Sequence, residues 1–179
     1  MRIDRADRLR VDSGSARRQN DGSTGGGRLR DSRCVAELID RLVGVWTQVP
    51  TGDARDEAAF REVYADPVTF NGRDATVHEL VERYRMLHTS FADIDIEVLD
   101  RTETPDTLAI VLRQSGRHVG PLPTRLGTVA ATGRAFDVLG IDVLTVRDER
   151  ISQIWVVADE LGRLEQLEAV TLVAAAGDT

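Results

Sequence analysis

Near the C-terminus, Gln153, Trp155 and Asp159 recur at every second position and share a parity with Ile151 and Val157. On a strand, alternate residues face the same side. Two polar groups and an indole on one face suit the wall of a pocket, a flat aromatic surface with a few hydrogen-bonding groups. A carboxylate placed there can take a proton from a carbon flanked by two carbonyls, since such a carbon is already acidic. Burial would raise the carboxyl from a pKa of about 4 towards neutrality and improve it as a base. Asp159 has a second reading as a helix N-cap, because Leu161, Leu164 and Leu167 follow at helical spacing. An earlier strand carries Leu108, Ile110, Leu112, Gln114 and His118 on one parity. This puts Leu112 on an apolar face, Gln114 where it can orient a carbonyl, and His118 at the rim. His118 is either a hydrogen-bond donor to developing negative charge or a structural histidine near a strand end. Tyr84, Leu87 and His88 lie on one helical stripe. Core packing explains the first two, and a pocket-facing Tyr84 hydroxyl is the sharper reading. Asn71 precedes Gly72, and Asn–Gly is turn chemistry. Asp142 and Thr145 have opposite parity, so only one of them points inward unless a bulge intervenes.

Composition removes whole classes of mechanism. All 23 basic residues are arginine. Without lysine there is no Schiff-base or pyridoxal-phosphate chemistry and no Walker P-loop. The single cysteine, Cys34, forms neither an internal disulfide nor a cysteine-rich zinc site. His78 and His88 stand ten apart, which does not match the HExxH spacing of zinc proteases. Neither a metal site nor a cofactor is expected. Residues 1–33 hold nine Arg and five Asp, whereas the remainder holds 14 Arg against 25 acidic residues. An acidic body argues against nucleic-acid binding, which neutralises phosphates. No apolar run approaches a membrane span and no secretory leader is apparent, so the expectation is a cytoplasmic protein that does not engage a membrane and acts on a small molecule.

These side chains must be positioned by the rest of the chain. Residues 1–33, with SGS and GSTGGG, read as a flexible basic tail. Residues 34–170 read as one domain and 171–179 as a frayed end. Val35, Leu38, Ile39, Leu42, Val43, Val45 and Trp46 fall at helical spacing, with Ser32 as a candidate cap. A second helix is expected over 55–64 and a brief strand at 68–70. Thr76 and Glu79 form a capping-box pattern that opens a third helix. Ile94, Ile96 and Val98 alternate with polar neighbours, and strands follow at 107–119, 136–146 and 151–158, the last two joined through Arg147–Arg150. Gly120–Pro121–Leu122–Pro123 breaks the second of these. Helices ahead of a mostly antiparallel sheet make an α+β fold, a curved sheet wrapped around three N-terminal helices and enclosing a cavity.

Four segments occur in order: Ser90-Phe-Ala-Asp-Ile-Asp-Ile-Glu, Ser115-Gly-Arg-His-Val-Gly120, Ala131-Thr-Gly-Arg134 and Arg150-Ile-Ser-Gln-Ile-Trp-Val-Val-Ala-Asp159. Together they resemble the SnoaL-like polyketide cyclase family of the NTF2-like fold, over roughly residues 35–168. The chain departs from the family pattern at Ala92, Arg117, Gln153 and Ile154. The resemblance implies an NTF2-like cone and a cofactor-free cyclase or isomerase acting on a polyketide-like, β-dicarbonyl molecule. It implies Asp159 as general acid/base in an aldol-type closure, His118 as a donor matching the motif histidine, Trp155 as a stacking surface, and Asn71 as a polar pocket group. It also implies a homodimer through the outer sheet face. An epoxide hydrolase or isomerase on the same fold, and a non-catalytic ligand-binding accessory protein, stay open as alternatives.

Overall fold

The computed structural model describes residues 32–171, with side chains from residue 34. Residues 1–31 of the expected basic tail, the Ser32 side chain and residues 172–179 lie outside that description, while residues 32 and 33 are already helical. Helices α1 (Ser32–Thr47), α2 (Asp53–Val63) and α3 (Val77–Ser90) precede most of the sheet. Strands β1 (Tyr64–Phe70) and β2 (Arg73–Ala75) form a small hairpin between α2 and α3. The long strands are β3 (Phe91–Glu103), β4 (Thr107–His118), β7 (Ala135–Arg147) and β8 (Arg150–Ala158). A separate hairpin, β5 (Leu122–Thr124) and β6 (Gly127–Val129), occupies the Pro-rich segment read as a strand break, and α4 (Glu160–Gln166) closes the domain. The result is the α+β arrangement expected, with β1 longer than the sequence suggested.

The six-stranded sheet runs β2-β1-β8-β7-β4-β3. All neighbours are antiparallel except β1 and β8. Helix α3 starts as its sequence dictates. Thr76 accepts from the Glu79 backbone N–H, and Glu79 returns the bond to the Thr76 N–H at 2.7 Å. Its apolar stripe, Val77, Leu80, Val81 and Tyr84, is fully packed, as are Val35, Leu38, Ile39 and Leu42 of α1. Both stripes meet the concave sheet face over Leu108, Leu144 and Ile154. A second apolar cluster, Phe91, Phe136, Val138 and Leu167, lies at the other end under α4.

β4 and β7 pair without interruption, so Ile110 faces Asp142, Leu112 faces Gly140 and Gln114 faces Val138. Along β7 the inward series is Val146 and Leu144 in the main core, then Asp142 and Gly140, then Val138 and Phe136 in the second cluster. β7 and β8 do not pair so evenly. Thr145 faces Gln153 but Val146 faces Ile151, so Ser152 is an extra residue in β8. Its hydroxyl donates to the Thr145 carbonyl at 3.2 Å. A bulge of this kind shifts the strand's facing by one. Ile151, Ile154 and Val156 therefore face inward, while Trp155 and Val157 are 49% and 69% exposed on the convex side.

Candidate active site

Between the two apolar clusters lies a cavity of about 360 Å³. The sheet supplies its floor through Ile110 and Leu112 of β4, Gly140 and Asp142 of β7, and Ile154 and Val156 of β8. Leu42 and Trp46 of α1, and Met86 and Leu87 of α3, form the helical wall. Tyr64 and Phe70 of β1 close one side, and the exposed Arg83 and Glu160 stand at the rim. Gly140 makes room on the floor: a Cβ there would meet Leu112 Cδ1 at 3.0 Å and the Val157 carbonyl oxygen at 3.4 Å.

Three polar side chains interrupt this apolar lining. The first is Asp142, set between Ile110 and Val156 in the sheet register. It has no hydrogen-bond or ion-pair partner among the described residues. Loss of hydration pushes its carboxyl up to about 6, because burial disfavours the charged form. The second is Tyr64, whose oxygen accepts from Trp46 Nε1 at 2.8 Å. A phenol has one proton to donate, and with its oxygen held by the indole that proton is free for the cavity. Burial, and the neighbouring Asp142 charge, raise the Tyr64 pKa further above its ordinary range, so the hydroxyl stays protonated. The third is Gln114, whose Oε1 accepts from Arg163 at 2.7 Å. A carboxyl near neutrality in a largely apolar cavity that also holds two donor side chains has the makings of an acid/base centre.

The residues proposed from sequence divide sharply. Gln114, Leu112 and Leu87 line the cavity. Asp159, read as the base, is exposed and caps α4, accepting from Gly162 N–H at 2.8 Å. The cap reading holds because the strand ends at Ala158, leaving Asp159 at the start of the next helix. His118 is 0% exposed and does not line the cavity. It packs against Phe91 with ring centroids 5.5 Å apart. The Thr132 backbone N–H donates to His118 Nδ1 at 3.3 Å, and Nε2 has no hydrogen-bond partner among the described residues. Trp155 and Gln153 do not line the cavity, because the Ser152 bulge turns them to the convex side. Trp155 instead lies beside Gly72. Tyr84 is buried in the helical core, and its hydroxyl donates to the Gln48 carbonyl at 2.8 Å. Asn71 adopts a left-handed turn and bonds the Val156 backbone twice, donating at 3.2 Å and accepting at 2.7 Å. It joins β1 to β8 and does not reach the cavity. Sequence reasoning left Asp142 undecided against Thr145 and did not single out Tyr64 or Trp46.

A family model described as SnoaL-like polyketide cyclase matches residues 36–167. The chain belongs to this family. TsrD from Streptomyces laurentii is similar in structure, with 22% identity, a TM-score of 0.67, and coverage of 78% of this chain and 98% of that one. A SnoaL-like polyketide cyclase from Agrobacterium tumefaciens has 15% identity and a TM-score of 0.59, covering 76% of this chain and 96% of its own. At such identities the likeness carries the fold, an NTF2-like cone. No curated protein matches the sequence. Among the described residues, no helix is long and apolar enough to cross a membrane.

Proposed function

We propose that this SnoaL-like chain is a cyclase or isomerase that uses Asp142, rather than Asp159, as general acid/base on a polyketide-like β-dicarbonyl molecule. The observation that carries the reading is a carboxyl without a partner among the described residues, pushed up to about 6, on the floor of a largely apolar cavity. In the forward step the Asp142 carboxylate takes the proton from a carbon between two carbonyls, leaving an enolate. The enolate carbon then bonds to a second carbonyl carbon of the same molecule, and the resulting alkoxide takes the proton back from Asp142. Protons and electrons balance with Asp142 as the only carrier. Tyr64 and Gln114 face the same space and donate to the oxygens on which charge develops.

The test is exchange of the central-carbon proton of ethyl benzoylacetate in D₂O, followed by NMR. The enzyme-dependent rate should rise with pH through about 6, as Asp142 ionises. Burial is the cause of that raised value, and the Asp142 charge in turn raises the Tyr64 pKa. Asp142→Asn should keep the fold and lose roughly a hundredfold or more of the rate, the usual scale of a general base. An unchanged rate in that variant removes the assignment. Saturable binding with no enzyme-dependent exchange in the wild type would instead favour an accessory ligand-binding role.

We also propose a homodimer through the convex sheet face. The support is a run of exposed apolar side chains, Leu139, Ile141, Trp155 and Val157, on the two central strands. Ile141 and Val157 are direct register partners, so the apolar surface is continuous across β7 and β8.

A further inference from the structure

Arg163 takes no part in the acid/base step, yet it is a charged residue only 6% exposed. It leaves α4 and lies over the rings of Phe91 and Phe136, with its Cζ 5.6 and 5.1 Å from their centroids. One terminal nitrogen bonds Glu160 at 3.2 Å, and the other donates to Gln114 Oε1 at 2.7 Å. Glutamine presents an acceptor oxygen at one end of its amide and a two-proton donor at the other, and rotation interchanges them. Guanidinium has five donors and no acceptor. An amide held against it must turn its oxygen that way and its NH₂ the other. Gln114 Nε2 has no partner among the described residues, and Gln114 lines the cavity.

We propose that Arg163 is a positioning residue that fixes the Gln114 amide with its NH₂ towards the cavity, so that the site recognises a ligand by an acceptor oxygen at that point. The proposal rests on reading this cavity as the ligand site, and it names what the polar floor selects. Gln114 and Tyr64 are both donors, and the acceptor is Asp142. A ketone, quinone or enolate oxygen fits beside Gln114, and an ammonium group, which can only donate, does not. Glu160 shares Arg163 from the rim, so the positioning group is itself tethered at two points.

The probes are acetophenone labelled with ¹³C at its carbonyl and α-methylstyrene, which has the same shape with CH₂ in place of oxygen. In the wild type the bound ketone band should move to lower frequency by infrared spectroscopy. Gln114→Glu keeps an acceptor for Arg163 but removes the donor. It should lose that shift and lower the ketone-to-alkene affinity ratio roughly five- to tenfold, the scale of one hydrogen bond. Arg163→Met keeps a long apolar stem but frees the amide. It should lower the same ratio with alkene affinity unchanged. If Arg163→Met does not fold, the wild type still decides. NOEs should run from the Gln114 Nε2 protons to the ketone methyl, and a pattern running to the guanidinium protons overturns the orientation. The proposal also fails if the wild type shows no carbonyl shift or no saturable binding, or if the ratio is the same in Arg163→Met. None of these outcomes touches the Asp142 assignment, which stands or falls on proton exchange.

Discussion

Asp142 and Asp159 show how position in the fold, not residue type, decides what a carboxylate does. Asp142 sits where ionisation is costly, and its folded-state pKa is raised to about 6 from an ordinary 3.8. A raised carboxyl favours the folded state below its unfolded pKa, and that contribution disappears as pH rises through the folded value. Asp142→Asn should therefore raise the melting temperature above pH 7, by an amount corresponding to up to about 3 kcal/mol. The gain should vanish below pH 4, as thermal melts across pH 4–8 would show. The same substitution that abolishes exchange thus stabilises the protein, a trade expected of a site residue. Asp159→Ala should do the reverse. Loss of its bond to Gly162 should cost about 1 kcal/mol, typical of an N-cap, while proton exchange stays within twofold of wild type. The Asp142 signal was legible in one respect. Val138, Gly140, Leu144 and Val146 share its parity and are apolar or small, and a lone carboxylate in such a series is a pocket residue.

At the level of elements, alternation marked the inward faces of Ile96–Val98 and of β4, because pairing is regular over those stretches, but left the face of β7 open between Asp142 and Thr145. Leu112 and Gln114 were placed correctly for that reason. β8 was read with the wrong face inward. Its alternation looked clean, but Ser152 inserts one residue opposite Thr145, and nothing in Ile-Ser-Gln-Ile announces a bulge. The side chains that looked chemical, Trp155 and Gln153, went outward, while plain Ile154 and Val156 took the pocket. The motif ending at Gly120 has a packing reason instead. A Cβ at Gly120 would overlap the Thr89 carbonyl oxygen, where the strand end closes on the end of α3, and the Gly120 N–H donates to Ser90 O at 3.1 Å. Gly120→Ala should cost 2 kcal/mol or more, roughly, since backbone must move, measured by urea denaturation. Gly140→Val should act differently. Its methyls enter the cavity beside Asp142, so acetophenone affinity should fall more than tenfold. Leu112 must also give way, at a cost of about 1–3 kcal/mol.

At the scale of the whole molecule, the α+β class and the cone were readable from the order of helices and strands. The parallel contact between β1 and β8 was not, because a seven-residue strand lodged between two helices carries no mark of its distant partner. The convex face gives a prediction at this scale. Trp155→Glu places a charge in the centre of the apolar run and should convert a dimer to a monomer by light scattering, with proton exchange retained. A wild type that is already monomeric at micromolar concentration removes the proposed interface.

The β1–β8 contact also fixes when the cavity can come into being. Asn71 and Val156, which fasten these strands together, are 85 residues apart. Tyr64 and Phe70 come from one end of that span, Ile154 and Val156 from the other. Contacts so distant in sequence form slowly, since a long loop must close before they repay its entropy. A chain that has emerged only as far as β7 has all three large helices but lacks the β8 part of the cavity floor. Ligand capture is thus tied to the arrival of one late strand, which supplies Ile154 and Val156 to the cavity floor.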